Sequence, residues 1–390
     1  MRSFGRKFSH SWKSKKNRLP ILDNRQPLCY DKIKRGDLVS MVSLRSPRLK
    51  LILLSLMHFA IDGLCAYLAF AKLYPQNPNA VLIIFFGYNI LAFVTQSPIG
   101  LIIDKYNRPK LFLVISMAMM VLGYALSGIV YFSLIMIGIG NSIFHVAGGK
   151  YVTDKSGNDI SHLGVFVSTG AIGLVLGQRY LTIVSLPYIF FAILIVCGLL
   201  VIFLEDSETI AYNEMFDGQR YETLALSMIV MVVAIRSFVG KIASPIFELK
   251  EHTFLIMSIA TALGKAMGGI SSKLVGVRLT TYISMLLAAV CMTFGAGNPY
   301  IFVIGIFAFN FSMPITLYYA NILLKGHEGF AFGTLAAALT PGYFIAMAFS
   351  FSVPLRIVTA ALCLVSMLVI ILVSKRIKHH ANCTDINNNY

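Results

Sequence analysis

Charge is what this chain has least of. Only 13% of its 390 residues are Asp, Glu, Lys or Arg, where a soluble domain carries roughly a quarter. That shortage excludes an ordinary water-soluble enzyme of this length. Acids are the scarcer sign, 17 against 33 bases. Cysteine is sparse too. Cys29, Cys65, Cys197, Cys291, Cys363 and Cys383 form no CxxC or Cys/His spacing, so neither a disulfide nor a metal site is expected. A GxxxxGK[ST] run is missing, which excludes a P-loop nucleotide motor. No HxxxxD or paired Asp-rich motif falls within the predicted membrane helices, which argues against an acyl- or isoprenoid-transfer enzyme. The first apolar run starts too late, and is too long, for a signal peptide.

Apolar residues fill the space that charge leaves. They make up 57% of the chain, and mean hydropathy is +0.75. A membrane-crossing helix needs about 20 mostly apolar residues. Apolar runs separated by turn signals predict twelve helices. Six fall near 50–72, 79–102, 109–127, 130–151, 161–179 and 183–204. Six more fall near 223–243, 252–273, 278–295, 299–323, 330–352 and 355–374. The expected organisation is a basic N-terminal tail over 1–49, a six-helix bundle over 50–204 and an acidic linker over 205–222. A second six-helix bundle over 223–374 and a C-terminal tail over 375–390 complete it.

The bases are distributed unevenly. The first 50 residues hold fourteen Lys and Arg against three acids. Beside a membrane span, such a tail reads as an anchor near anionic lipid rather than a nucleic-acid site. With the N-terminus taken as cytoplasmic, twenty-six Lys and Arg fall on that side and five on the other. The bias predicts that both termini are cytoplasmic. Arg236 and Lys265 are left over, inside predicted helices.

The turn between the second and third helices reads GLIIDKYNRPK. Gly100 removes a side chain where helices approach closely. Asp104 can accept hydrogen bonds from a base or from a helix N-terminus. Lys105, Arg108 and Lys110 hold the turn at the cytoplasmic side. Such a cluster can form in one conformation and break in another. The helix 8–9 turn, GGISSKLVGVR, is a degenerate second copy, as expected of two repeated halves.

An ionisable group deep in a membrane helix is costly unless it faces protein or water. Asp62 is the one acid in the middle of a predicted helix, and His58 lies one turn before it. His145 and Asn141 share helix 4 at the same spacing. Arg236 lies in helix 7. Asn310 and Pro314 interrupt helix 10, and Tyr318 and Tyr319 follow. Asp62, His58 and His145 are the candidate proton-coupling groups. Asn141, Arg236, Asn310 and Tyr318 are the candidate substrate contacts. Arg236 could hold an anionic group or pair with Asp62. Pro341-Gly342 is a candidate gate hinge beside Gly100, Asp104, Lys105 and Arg108. Two readings stay open for Asp62 and His58: proton coupling, or a mutual bond that only fixes helix packing. Phe85, Phe86, Tyr88, Tyr318 and Tyr319 read mostly as packing or lipid-facing.

Gly100, Asp104, Lys105 and Arg108 match the loop 2–3 signature of the major facilitator superfamily, with Asn107 where a second Gly is usual. Over residues 50–375 the chain resembles that superfamily in helix count and loop placement. HFAIDG in helix 1 and GIGNSIFHVAGG in helix 4 are similar to segments of fosmidomycin-resistance-type exporters. The Gly-Pro pair of the antiporter signature is missing from helix 5. The resemblance implies an all-α fold of two six-helix bundles, with helices 1, 4, 7 and 10 lining a central cavity. It implies a monomeric secondary transporter, not an enzyme, without a cofactor, in the cell membrane. Its partners would be a small-molecule substrate and protons. Proton-coupled export is the first expectation. Proton-coupled uptake of a small solute, anionic or neutral, and a polytopic membrane enzyme are the alternatives.

Overall fold

Long runs of Leu, Ile, Val, Phe and Ala with few helix breakers close their own backbone hydrogen bonds, which hydrocarbon demands of any spanning segment. The computed structural model describes residues 46–203, 220–243, 251–295, 298–348 and 355–387. Twelve helices follow among them. They are α1 (Pro47–Gln76), α2 (Pro78–Tyr106), α3 (Pro109–Ala125), α4 (Val130–Ser156), α5 (Ile160–Arg179) and α6 (Leu186–Phe203). The second set is α7 (Arg220–Ala243), α8 (Glu251–Val275), α9 (Val277–Phe294), α10 (Pro299–Leu323), α11 (Glu328–Ala348) and α12 (Leu355–Asn387). Eleven are long and apolar enough to cross a membrane, and α3 is shorter at 17 residues. The basic tail through residue 45 and the linker over 204–219 lie outside the described residues.

Punctuation follows local chemistry. Asn107 ends α2 in the left-handed conformation (φ 50, ψ 39), which Asn tolerates better than most residues. Pro109 then starts α3, where its missing N–H costs nothing. Asp159 caps α5 by accepting from the Ser161 amide at 2.9 Å. Pro314 and Pro341 each withhold the N–H that the carbonyl four residues earlier would take. The helix breaks at or beside those carbonyls: α10 is interrupted at Asn310–Phe311, and α11 at Ala338, one residue past the Ala337 carbonyl. The α11 break therefore lies one turn before the expected Pro341-Gly342 hinge. Helix α12 runs on through Asn387, past the expected boundary at 374, since no Pro or Gly interrupts it. Helix α4 also overruns its expected end at 151 and continues to Ser156, which draws Asp154 and Lys155 into the helix.

In the first bundle α1 packs against α4, α5 and α6; in the second, α7 packs against α10, α11 and α12. The bundles meet along two seams, α5 on α8 and α2 on α11. Both are built on glycine. Gly164 and Gly269 oppose each other, and a Cβ on either would stand 3.1 Å from the other's Cα. A Cβ on Gly100 would stand 2.5 Å from the Gly329 carbonyl oxygen. Both seams are closed at the end of the bundle that carries the α2–α3 and α4–α5 turns, called here the turn face.

Candidate functional site

Asp62 on α1 sits between two imidazoles. Its carboxylate lies 3.3 Å from His58 Nε2, one turn away on the same helix, and 3.4 Å from His145 Nε2 on α4. Asn141 Nδ2 donates to Asp62 Oδ1 at 3.1 Å. His58 Nδ1 lies 2.8 Å from the Phe166 carbonyl, and His145 Nδ1 lies 2.9 Å from the Asn141 carbonyl. A carbonyl only accepts, so each Nδ1 must carry the hydrogen. In the neutral rings each Nε2 is then a bare lone pair aimed at a carboxylate. Three acceptors cannot satisfy one another. A positive charge has to enter this group, whether on the imidazoles or between them. Both rings are buried, and they meet edge to face with centroids 4.6 Å apart.

Two cavities share this wall. One, of about 360 Å³, reaches toward the face opposite the turn face, past Phe70, Tyr74, Phe85, Tyr88, Tyr343 and Phe344. The other, of about 310 Å³, lies against α5, α8, α10 and α11 and includes Lys265 and Gln96. Asp62 and His145 line both. Phe85 and Tyr88, expected to be packing or lipid-facing, are cavity walls. Between the bundles on that side, Phe86 meets Phe344 with ring centroids 4.9 Å apart.

The second bundle carries two cations inside its helices: Arg236, which is buried but lines neither cavity, and Lys265, which lines the smaller one. Arg236 on α7 donates to Thr316 Oγ1 at 3.4 Å, and its Nη2 has no partner among the described residues. Arg236 is 7% exposed. It stands apart from Asp62, whose ion pairs among the described residues are the two histidines.

The turn face holds a second charged group. Asp104 accepts from the Gly329 amide at 2.9 Å and the Phe330 amide at 2.7 Å, at the N-terminus of α11. Lys150 lies 3.2 Å from Asp104, 3.4 Å from Glu328 and 3.6 Å from Asp154. All four side chains are at most 2% exposed. One ammonium therefore serves three carboxylates across both bundles, with the α11 amides supplying further positive potential. A separate ion pair joins Asp159 in the α4–α5 turn to Lys273 on α8. Burial opposes charge on Asp159, but the Lys273 ammonium and the Ser161 donors outweigh it and hold the carboxyl at about 2.

The other expected residues are placed as follows. Asn141 lines the larger cavity. Asn310 back-bonds to the Ile306 carbonyl at 2.8 Å, inside the α10 break. Tyr318 lies at the bundle interface, where its carbonyl accepts from Asn158 at 3.4 Å. Neither lines the two cavities. Lys105 and Arg108 are exposed on the turn. Gly342 packs against the Ala234 backbone of α7, and Pro341 is exposed. Sequence reasoning missed Lys150, Asp154 and Glu328 as a buried group and set Lys265 aside as a leftover charge. For Lys265 the signal was there: a base inside an apolar helix.

The chain matches no family model and no curated protein sequence. Solved structures do match. Its fold is similar to that of the Escherichia coli fucose:proton symporter FucP, with a TM-score of 0.60 and 12% identity over 83% of this chain and 98% of that one. It is also similar to FucP described as a major facilitator superfamily transporter in the outward conformation, with a TM-score of 0.58 and 13% identity over 84% and 98%. The protein has the major facilitator fold: twelve helices in two six-helix bundles.

Proposed function

We propose that this protein is a secondary transporter of the major facilitator superfamily, which moves a small organic molecule by alternating access and couples it to protons. The carrying observation is the acceptor-only contact among Asp62, His58 and His145 in the wall common to both cavities. A group that needs added positive charge, placed beside a cavity between two bundles, is suited to take up and release a proton as access alternates. The sealed turn face represents one of the two access states. In this reading both termini and the turn face are cytoplasmic, the chain is a monomer in the cell membrane, and the basic tail lies on anionic lipid.

Export follows from the likeness of helices 1 and 4. Uptake of a small anionic solute is the second reading. It is supported by the unpartnered Arg236 nitrogen and by Lys265 in the deeper cavity, and a protein of similar fold is a fucose:proton symporter. Inside-out and right-side-out vesicles carrying a pH dye separate the two. Candidate solutes should drive proton movement in one orientation, and Asp62→Asn should abolish it. Solute movement that persists without proton flux in the wild type, or proton flux unchanged in Asp62→Asn, would remove this reading.

A further inference from the structure

We infer that His58, Asp62 and His145 form a binding site for a divalent first-row transition-metal ion. The inference concerns the residues of the proposed proton site but needs no transport, only access from the cavity. One ligand atom from each of the three residues lies within 4.8 Å of the other two. For metal–ligand bonds of about 2.0–2.1 Å, neighbouring ligand atoms of a tetrahedral site stand about 3.3–3.4 Å apart. Each imidazole stands at that spacing from its own carboxylate oxygen, His58 Nε2 at 3.3 Å from Asp62 Oδ2 and His145 Nε2 at 3.4 Å from Asp62 Oδ1, so a single ion held through one oxygen needs the carboxylate to turn toward the second ring.

The surroundings are also those of a metal site. A ligating histidine offers a bare nitrogen to the ion and donates its other N–H to a fixed acceptor, which sets the tautomer and ring orientation. Both rings here do so, through the Phe166 and Asn141 carbonyls. Asn141 Nδ2 in turn holds the ligating carboxylate. Both carbonyls and the amide belong to helix backbones or buried side chains, so the three ligands are positioned before an ion arrives. Asp62 and His145 face the cavities, which leaves the fourth position open to water or a cavity ligand. Two imidazoles and one carboxylate suit Zn²⁺, Co²⁺, Ni²⁺ and Fe²⁺ rather than Ca²⁺ or Mg²⁺. Gly170 on α5 abuts the group: a Cβ there would collide with His58 Nε2 and Asp62 Oδ2.

The test uses the full chain in detergent, purified without a polyhistidine tag and titrated with Co²⁺, then Zn²⁺. The wild type should show the intense visible bands of four-coordinate Co²⁺ at one ion per chain, and Zn²⁺ should bleach them. His58→Gln, Asp62→Asn and His145→Gln should each weaken binding by roughly 100-fold or more. Gly170→Ala keeps every ligand and tests the site without deleting one; it too should weaken binding, while its elution and metal-free unfolding show that it is folded. His162→Gln, outside the group, should bind as the wild type does. No bands in the wild type, or bands of unchanged affinity in Asp62→Asn, would overturn the inference. Metal binding without solute-driven flux would leave it standing and remove the transport reading; flux without metal binding would do the reverse.

Discussion

Asp104→Asn is the most informative single change at the turn face. Wild-type Asp104 accepts from two α11 amides and pairs with Lys150 while fully buried. A hydrogen bond to a charged group contributes about 1.5–3 kcal/mol, against about 0.5–1.5 for a neutral one. Asparagine also offers one oxygen where the carboxylate offers two, so its NH₂ must face a backbone N–H or the Lys150 ammonium. Lys150 keeps Asp154 and Glu328, which moderates the loss below that of an abandoned buried charge. The net cost to the closed seam is about 2–4 kcal/mol, which shifts its closed-to-open ratio by about 30- to 700-fold. Ser97→Cys reports this, because the Ser97 hydroxyl lies 3.3 Å from Thr334 Oγ1 across the α2–α11 seam. In a background with Cys29 and Cys383 replaced, maleimide labelling at position 97 should rise with the open fraction. Lys105→Gln, an exposed base of the same turn, should leave the rate unchanged. Equal labelling of wild type and Asp104→Asn would refute the idea that this carboxylate holds the bundles together.

Two further predictions concern the α5–α8 seam. Gly269→Leu would drive its side chain into the Gly164 and Ile160 backbone; overpacking costs about 1–3 kcal/mol, so the unfolding temperature should fall, less so in Gly269→Ala, and an unchanged Leu variant would mean that the seam is looser than described. Asp159 has its carboxyl lowered from 3.8 to about 2 in the folded chain. The stability it supplies is therefore full above pH 3.8 and lost as pH falls toward 2. Lys273 is half exposed, so the pair is worth only about 0.2–1 kcal/mol; Asp159→Asn should flatten that acid limb of the stability curve, and parallel curves would count against the pair.

Much of the architecture is written in the order of apolar runs, since hydrocarbon permits little besides a helix of a certain length. Position along a helix was legible as well. Asp62 and His58 share a face because they are four residues apart, and Pro314 and Pro341 foretell the breaks at Asn310 and Ala338. What the sequence hid was pairing across the bundles. Asp104 meets amides more than 220 residues away, and nothing in GLIIDKYNRPK names Gly329 or Phe330. Lys150 stood next to the end of the expected fourth helix, and helix ends in a sequence are uncertain by a turn, which is enough to separate a solvated lysine from a buried one. The glycines of α5 and α8 could be read as contact residues, but not which glycine meets which. The metal-ligand geometry was hidden for the same reason: two ligands share α1, and the third arrives on α4.

Helix α4 links the two charged groups physically. His145 at the cavity and Lys150 at the turn face lie five residues apart, about 7.5 Å along the axis. Between them Gly148 and Gly149 give α4 no side-chain bulk, and a Cβ on Gly149 would strike the Phe332 ring of α11. Close packing at these glycines lets a displacement of α4 reach α11, because dense interiors transmit displacement. Whatever fills the positive-charge requirement of Asp62, His58 and His145 is accommodated on the same helix that presents Lys150 to Asp104, Asp154 and Glu328. Occupancy at the cavity and closure at the turn face are two loads on one helix.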